Sequence, residues 1–472
     1  MTRESSSPGK GCEFHMDKPV MRPISRGRFL TNSALAAGAA IAGGSALSAF
    51  DPSRVKAARD SATTTVTVMY AGTEFSPAYR KDFEQKNPDL KINFIEFSQT
   101  RLSAMLANGS PPDVIRAAGA TEVPFYALLD DLMPLDSYFA KSKALPVSDM
   151  EPVNNLFRWN GTKQGVGARY GAPKDWSLDQ QVWYNGSLFK QAGVAIPSAD
   201  KPLGYDELLA LGKKLAVRKG GKTVVYGLCV GFDVQWLYVQ MANQMASQGA
   251  SMFSPDLTQA NFTSPEAIKV LQWYTDVAQA HVAVSALDPE PLGQFGLFQA
   301  NRVAMVQSGY WWGGAVVGTK ALNNSNVGLL PAPQFGSKRT SGCSGGVGAV
   351  IMKKAANPDG AWRVLEYFLG AGNQPAIDRA KSGWGLPAFK SLEADLPQAL
   401  PWQKQALATV RSDYKYFTPG VYSPYITITE AGNLFDKYLT PAYRGQTSVA
   451  SAAASLEAAF NKKLKQTKAA SS

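Results

Sequence analysis

Four tryptophans, Trp176, Trp236, Trp311 and Trp312, and two carboxylates, Glu74 and Asp175, fall in segments that follow predicted strands. In an open α/β sheet such segments converge beyond the carboxyl ends of the strands, where ligands are held. A flat indole covers the C–H face of a pyranose ring while neighbouring carboxylates, amides and guanidinium groups take its hydroxyls. One aromatic side chain buries about 150–250 Å², worth a few kcal/mol at about 25 cal/mol per Å² before ordering costs. A micromolar complex needs about 8 kcal/mol, so two stacked rings and several hydrogen bonds suffice.

The full set of candidate cleft segments is 72–75, 98–101 with Gln99 and Arg101, 117–119, 173–179, 232–236, 309–312 and Gly345-Gly346. Two adjacent glycines let backbone amides approach a ligand without obstruction. Each residue also has a plainer use: an indole packs a core, a loop carboxylate caps a helix or is solvated, and two glycines make a turn. Trp273 and Trp362, on predicted helices, are assigned to the core.

Other chemistries find little support. The chain has two histidines and three cysteines, and beyond the leader described below only His281, Cys229 and Cys343 remain, without metal-ligand spacing. No metal or cofactor is expected. Tyr422 and Tyr425 hint only weakly at an iron carrier. Glycoside hydrolysis needs two carboxylates about 5–10 Å apart, and Glu74 with Asp175 is the available pair, though neither sits in a hydrolase motif. The glycines from Gly342 to Gly348 lack the lysine and the strand-to-helix setting of a phosphate loop.

At 472 residues and 45% hydrophobic, the chain is long enough for two domain-sized cores. Residues 1–58 carry eight Lys/Arg and four Asp/Glu, so the rest carries 40 and 33, a net charge of about +7. That excess is spread thinly with no basic, aromatic-laced block, and nucleic acid is not an expected partner. Arg22, Arg26 and Arg28 precede an Ala/Gly-rich apolar run from Ala34 to Phe50, the pattern of a secretion signal, and the run is too weakly apolar for a stable membrane span. Ser25-Arg26-Gly27-Arg28-Phe29-Leu30 is similar to the twin-arginine export motif, with Gly27 in place of the second arginine. Val55-Lys56-Ala57 before Ala58 fits a cleavage site, Ala46-Leu47-Ser48 competes with it, and Met21 is an alternative start. Cys12 precedes the apolar run and cannot survive cleavage as a lipid anchor. A soluble periplasmic protein is the expectation. Cys229 and Cys343 either pair or remain two buried thiols, because pairing demands close Cα atoms that sequence does not reveal.

The elements that must position these residues read as β-loop-α-β-α from residue 65. Val66, Val68 and Tyr70 share one strand face, a helix runs from Pro77 to Lys86 and stops before Asn87-Pro88, Leu90, Ile92 and Phe94 form a second strand, and Arg101 to Ala107 a second helix. Ser264-Pro265-Glu266 and Asn357-Pro358-Asp359 open scaffolding helices. The Ala/Ser/Lys-rich end, 463–472, reads as a flexible tail.

Several segments in this order resemble one family. They are Asn108-Gly-Ser-Pro-Pro-Asp-Val-Ile115, Leu129-Asp-Asp-Leu-Met-Pro-Leu-Asp136, Gln181-Val-Trp-Tyr-Asn-Gly-Ser-Leu-Phe-Lys-Gln-Ala-Gly193, and Gly204-Tyr-Asp-Glu-Leu-Leu209, where Gly204 replaces a capping hydroxyl. Further on come Phe298-Gln-Ala-Asn-Arg-Val-Ala-Met-Val-Gln-Ser-Gly-Tyr-Trp-Trp312, with Asn301 in place of a glycine, Val327-Gly-Leu-Leu-Pro331, Gly345-Gly346 and Gly385-Leu-Pro387. Together they resemble the extracellular solute-binding proteins of sugar ABC transporters, the group like maltose-binding protein. The resemblance implies an α/β fold of two lobes, each a doubly wound sheet with flanking helices, and a ligand cleft between them. It places the lobes at 63–175 plus 303–352 and 176–302 plus 353–462, with connections near 172–182 and 302–307. It raises Trp312 as a ligand platform, so that Trp312→Ala should weaken sugar binding while sparing stability, and adds Trp384, beside Gly385, at the cleft edge. It further implies a monomer that closes on a sugar and docks on a membrane permease. Alternatives are another organic solute, such as a peptide or polyamine, or a secreted carbohydrate-active enzyme.

Overall fold

A computed structural model describes residues 63–471, apart from 231–235, 318, 320–321, 323–325 and 344. The leader 1–58 with Cys12, and 232–235 of one candidate cleft segment, lie outside the described residues. Two five-stranded mixed sheets organise the rest. The first has the order Leu90–Glu96, Thr64–Tyr70, Val114–Ala118, Val347–Ile351, Gly171–Pro173, of which the first three are parallel and the last two antiparallel to their neighbours. The second runs Val327–Leu330, Val182–Asn185, Val303–Gln307, Lys222–Cys229, Val217–Lys219, with one parallel pair.

Local signals explain the elements. Val66, Val68 and Tyr70 face one core cluster while Met69 faces the other, as alternation requires. The Ser76 hydroxyl caps helix Pro77–Lys86, Ser98 caps Gln99–Ala107, Ser264 caps Pro265–Gln279 and Asn357 caps Pro358–Leu369. Helix Gly186–Ala192 ends on Gly193 at φ +66, the left-handed cap anticipated there. Gly204 supplies no hydroxyl, but its N–H donates to Glu207 at 2.7 Å, which keeps half of a capping box. Asn301 takes φ +54, a conformation that Asn tolerates better than most residues, and its side chain accepts a bond from Asn185 Nδ2 at 2.7 Å.

Three expectations change. Val303–Gln307, assigned above to the first lobe and to a connection, is an interior strand of the second sheet with five buried residues in a row. Helix Pro358–Leu369, assigned to the second lobe, packs Ala361, Val364, Leu365 and Phe368 on Val66, Val68, Tyr70 and Phe75 of the first, with Phe368 4.8 Å from Phe75. The supposed tail is ordered: helix Val449–Ala470 continues through it because Leu456, Phe460 and Leu464 recur every fourth residue on a buried stripe. Neither Cys229 nor Cys343 is in a disulfide.

The chain passes between the sheets at 174–181, again at 331–346, and near 393–401. These passages are tied together. Asp175–Trp176 pairs with Leu386–Pro387, Ser341–Cys343 pairs with Phe417–Pro419, and the Asp179 N–H donates to the Gly342 carbonyl at 2.7 Å. Among the described residues no helix is long and apolar enough to cross a membrane.

Candidate functional site

The structure gathers four of the eleven sequence-selected residues around one ring that the sequence had not singled out, Phe295. Trp312 stacks on it at 4.0 Å, Trp384 lies parallel to it at 6.2 Å, and Trp311 is tilted to it at 5.7 Å. Trp236 in turn stacks on Trp311 at 6.1 Å. Trp236, Trp311 and Trp384 keep half-exposed faces, and the Trp311 indole N–H donates to Asp179 at 3.1 Å. Trp312 does not offer a face: it is 0% exposed, set between Phe295 and Phe298. Trp176 is corrected likewise. It is buried, meets Tyr414 and Phe417 edge-on, and donates its N–H to the Pro387 carbonyl at 2.9 Å.

Glu74 and Asp175 meet on Lys174. The Lys174 ammonium, buried to 3% exposure, lies 3.2 Å from Glu74 and also pairs with Asp175, while Arg116 donates to Glu74 at 2.8 and 3.3 Å. Arg379 joins from the other side, bonding the carbonyls of Lys174 and Phe368. Burial pushes the Glu74 carboxyl up, but Lys174 and then Arg116 outweigh it and hold it down at about 2. Burial, aided by Glu74, pushes Asp175 up. Both carboxylates are held by the lysine between them.

This arrangement gives an acid response with a definite sign. Glu74 has a depressed folded value, so its stabilisation is complete above the ordinary 4.5 and disappears as pH falls from there towards 2. The shift corresponds to about 3 kcal/mol at 1.36 kcal/mol per unit. Asp175, shifted the opposite way, returns part of that in acid. Urea titrations at pH 7, 4 and 2.5 should therefore show the steepest loss below pH 4.5, and Glu74→Gln should flatten that limb. An unchanged limb in Glu74→Gln would assign acid sensitivity elsewhere.

The remaining candidates scatter. Gln99 and Arg101 belong to helix Gln99–Ala107, not to a loop; Gln99 Nε2 donates to the Tyr126 hydroxyl at 3.0 Å and Arg101 is exposed. The Gly345 and Gly346 carbonyls accept from Ala120 and Gly119 at 3.2 Å, and Gly346 needs its φ of +56. Their carbonyls thus join chain segments, and their amides bond the buried Cys343 sulfur.

A cavity of about 890 Å³ opens elsewhere, and none of the eleven residues lines it. One wall comes from the first-sheet side: Pro124, the turn Pro152–Phe157 and the hairpin of Arg158–Trp159 with Ala168–Arg169, whose tip 161–165 overhangs the space. Gln164 fastens that tip, donating to the carbonyls of Gly119 at 2.6 Å and Leu156 at 2.8 Å. The other wall is built by residues 255–258, by Phe417 to Tyr425, and by Lys468 near the end of the last helix. Aromatic surface comes from Trp159, Phe417, Tyr422 and Tyr425; polar groups come from Asn155, Thr162, Lys163, Asp256 and Thr258. Hydroxyls of Ser254 and Thr258 bind the Asp256 carboxylate and hold it at about 2. Trp159 is 4% exposed and its indole N–H has no partner among the described residues. Such a donor is costly to bury unless something accepts from it. Among the described residues no group of three or more His, Cys, Asp or Glu could hold a metal ion.

The sequence signal for this site was thin. Trp159 lies in a two-residue strand with no periodicity, and Tyr422 and Tyr425 stood out only as a tyrosine pair.

Comparison with known proteins bears on this geometry. The family model of bacterial extracellular solute-binding proteins matches residues 67–375. An ABC substrate-binding protein of Listeria monocytogenes, solved in complex with cycloalternan, superposes with a TM-score of 0.72 at 22% identity, covering 85% of this chain and 99% of that one. A solute-binding protein of Thermotoga lettingae bound to α-D-tagatose gives 0.70 at 20% identity over 85% and 100%. The maltose/maltodextrin-binding domain of Bdellovibrio bacteriovorus bound to maltotriose gives 0.67 at 15% identity, again over 85% and 100%. At these identities the likeness is one of fold. A comparison with curated proteins gave no match.

Proposed function

This chain belongs to the bacterial extracellular solute-binding protein family, and from that premise we propose that it is the sugar-capturing component of an ABC transporter. The observation that carries the reading is the cavity of about 890 Å³ between the two sheet systems, walled by Trp159, Phe417, Tyr422 and Tyr425 with an unpartnered indole N–H among them. Its size is in the range of small-molecule sites, about 300–1,000 Å³. Aromatic faces interspersed with amide, hydroxyl and ammonium groups suit a carbohydrate, and the three relatives above were solved with carbohydrate ligands.

The mechanism is hinge closure. Ligand contacts both walls, and only contacts made better in the closed form can drive closure. The passages at 174–181 and 331–346 are the hinge, because they cross between the sheets and are pinned to one another at Asp179 and Gly342. The closed monomer then delivers its sugar to a membrane permease. Export across the membrane, with residues 1–58 as leader and the periplasm as destination, completes the proposal.

Calorimetric titration of residues 58–472 with mannotriose, maltotriose, D-mannitol and D-tagatose tests it. One of these should bind, be recovered intact, and lose at least tenfold in affinity in Trp159→Ala. Binding of none, or consumption of the sugar, overturns the reading.

A further inference from the structure

Beside the cavity lies a separate void of about 10 Å³, with Pro419, Gly420 and Tyr422 lining both spaces. Into this void helix Trp236–Ala246 turns one face, Val239, Ala242, Asn243 and Ala246, at the spacing that stacks residues on one side of a helix. Asn243 is 5% exposed, and neither its Oδ1 nor its Nδ2 has a hydrogen-bond partner among the described residues. Gly342 stands opposite; a Cβ there would come within 3.0 Å of Asn243 Oδ1, so the glycine keeps the amide approachable. A buried amide with donor and acceptor both unmet is expensive, and native interiors rarely retain one without a use.

We infer that Asn243 is a specificity-determining residue that reads a hydroxyl group in the void beside the ligand cavity. The inference rests on the cavity being the ligand site and adds the chemistry of the group that reaches the void beside it. A hydroxyl both donates and accepts, so a single hydroxyl satisfies Oδ1 and Nδ2 together. An ammonium has no acceptor and leaves Nδ2 unmet; a carboxylate has no donor and leaves Oδ1 unmet. The void admits about one water-sized group, since about 10–15 Å³ is the minimum for a water. It therefore takes a hydroxyl and not a ring. The ligand class is a neutral sugar or polyol presenting a hydroxyl end, which excludes polyamines and free amino acids from this position.

The test is calorimetry on the wild-type chain, Asn243→Leu, Asn243→Ala and Trp159→Ala, with mannotriose, maltotriose, D-mannitol, D-tagatose and spermidine as probes. Asn243→Leu keeps the volume without polarity, and Asn243→Ala leaves the space open, so a simple plug is told apart from lost hydrogen bonds. Both are expected to weaken the sugar or polyol bound by the wild type at least tenfold, with melting temperatures unchanged or raised, and spermidine should bind none of the chains. If both Asn243 variants bind within twofold of wild type while Trp159→Ala loses affinity, the assignment of Asn243 is overturned and the cavity stands. Affinity unchanged in all three variants, or a wild-type chain that takes spermidine or no probe, overturns the cavity and the inference together.

Discussion

Replacing Trp312 by alanine is expected to lower unfolding free energy by about 3–5 kcal/mol, the usual cost of truncating a buried aromatic. The ring is fully buried, stacked 4.0 Å from Phe295 and edge-on to Phe298 at 6.1 Å, so its removal leaves a cavity walled by rigid aromatics that cannot collapse into it. This reverses the expectation from sequence, where a ligand platform would cost affinity and spare stability. Its indole N–H has no partner among the described residues, so Trp312→Phe, which keeps most of the apolar volume and discards that N–H, should recover most of the loss. Urea denaturation of both variants decides the matter. A Trp312→Ala chain as stable as wild type, with tenfold weaker sugar binding, would restore the platform.

The difference between expectation and structure at Trp312 is instructive about what sequence carries. Signals that act within a few residues were legible: the cap hydroxyls of Ser76, Ser98 and Ser264, the proline after Asn357, the alternation of Val66, Val68 and Tyr70, and Gly193 in the left-handed region all produced the elements they announced. What failed was assignment between lobes. Nothing local in Ala361, Val364, Leu365 and Phe368 says which sheet their stripe will cover, because an apolar stripe fits any apolar face. The same ambiguity hid the site. Its walls come from 124, 152–165, 255–258, 417–425 and 468, pieces brought together only by the three passages between the sheets. Trp159, within a two-residue strand, and Trp312, in a short turn of helix after a strand, are the same residue type, and only the tertiary structure distinguishes a ring against a cavity from a ring inside a core. Glu74 does follow a strand whereas Asp175 lies in a two-residue strand of its own, and the residue that determines their chemistry, Lys174, carried no motif.

Lys174 is where the second large effect is expected. Lys174→Met should cost about 3–5 kcal/mol at pH 7, the range for removing one partner of a buried ion pair. The loss falls unevenly on the two carboxylates. Glu74 keeps Arg116 at 2.8 Å, whereas Asp175, already pushed up by burial, retains only the more distant influence of Arg379. The cost should thus be carried mainly by a charged, buried Asp175. Two consequences separate this account from a mere packing defect. First, the variant's deficit should shrink as pH is lowered from 7 to 4, because Asp175 takes a proton in the fold above its ordinary value of 3.8 and then needs no cation. Second, Asp175→Asn added to Lys174→Met should restore most of the lost stability, whereas Glu74→Gln added instead should restore little. A pH-independent deficit, or equal rescue by the two second substitutions, would show that Lys174 acts through its hydrocarbon stem. The distinction has functional weight, since residues 174–181 form the first passage between the sheets and Asp175 is itself paired to Pro387. An ion network at the root of that passage fixes where bending begins, so a Lys174→Met chain relaxed by protonation at Asp175 should also bind sugar with a pH dependence that the wild type lacks.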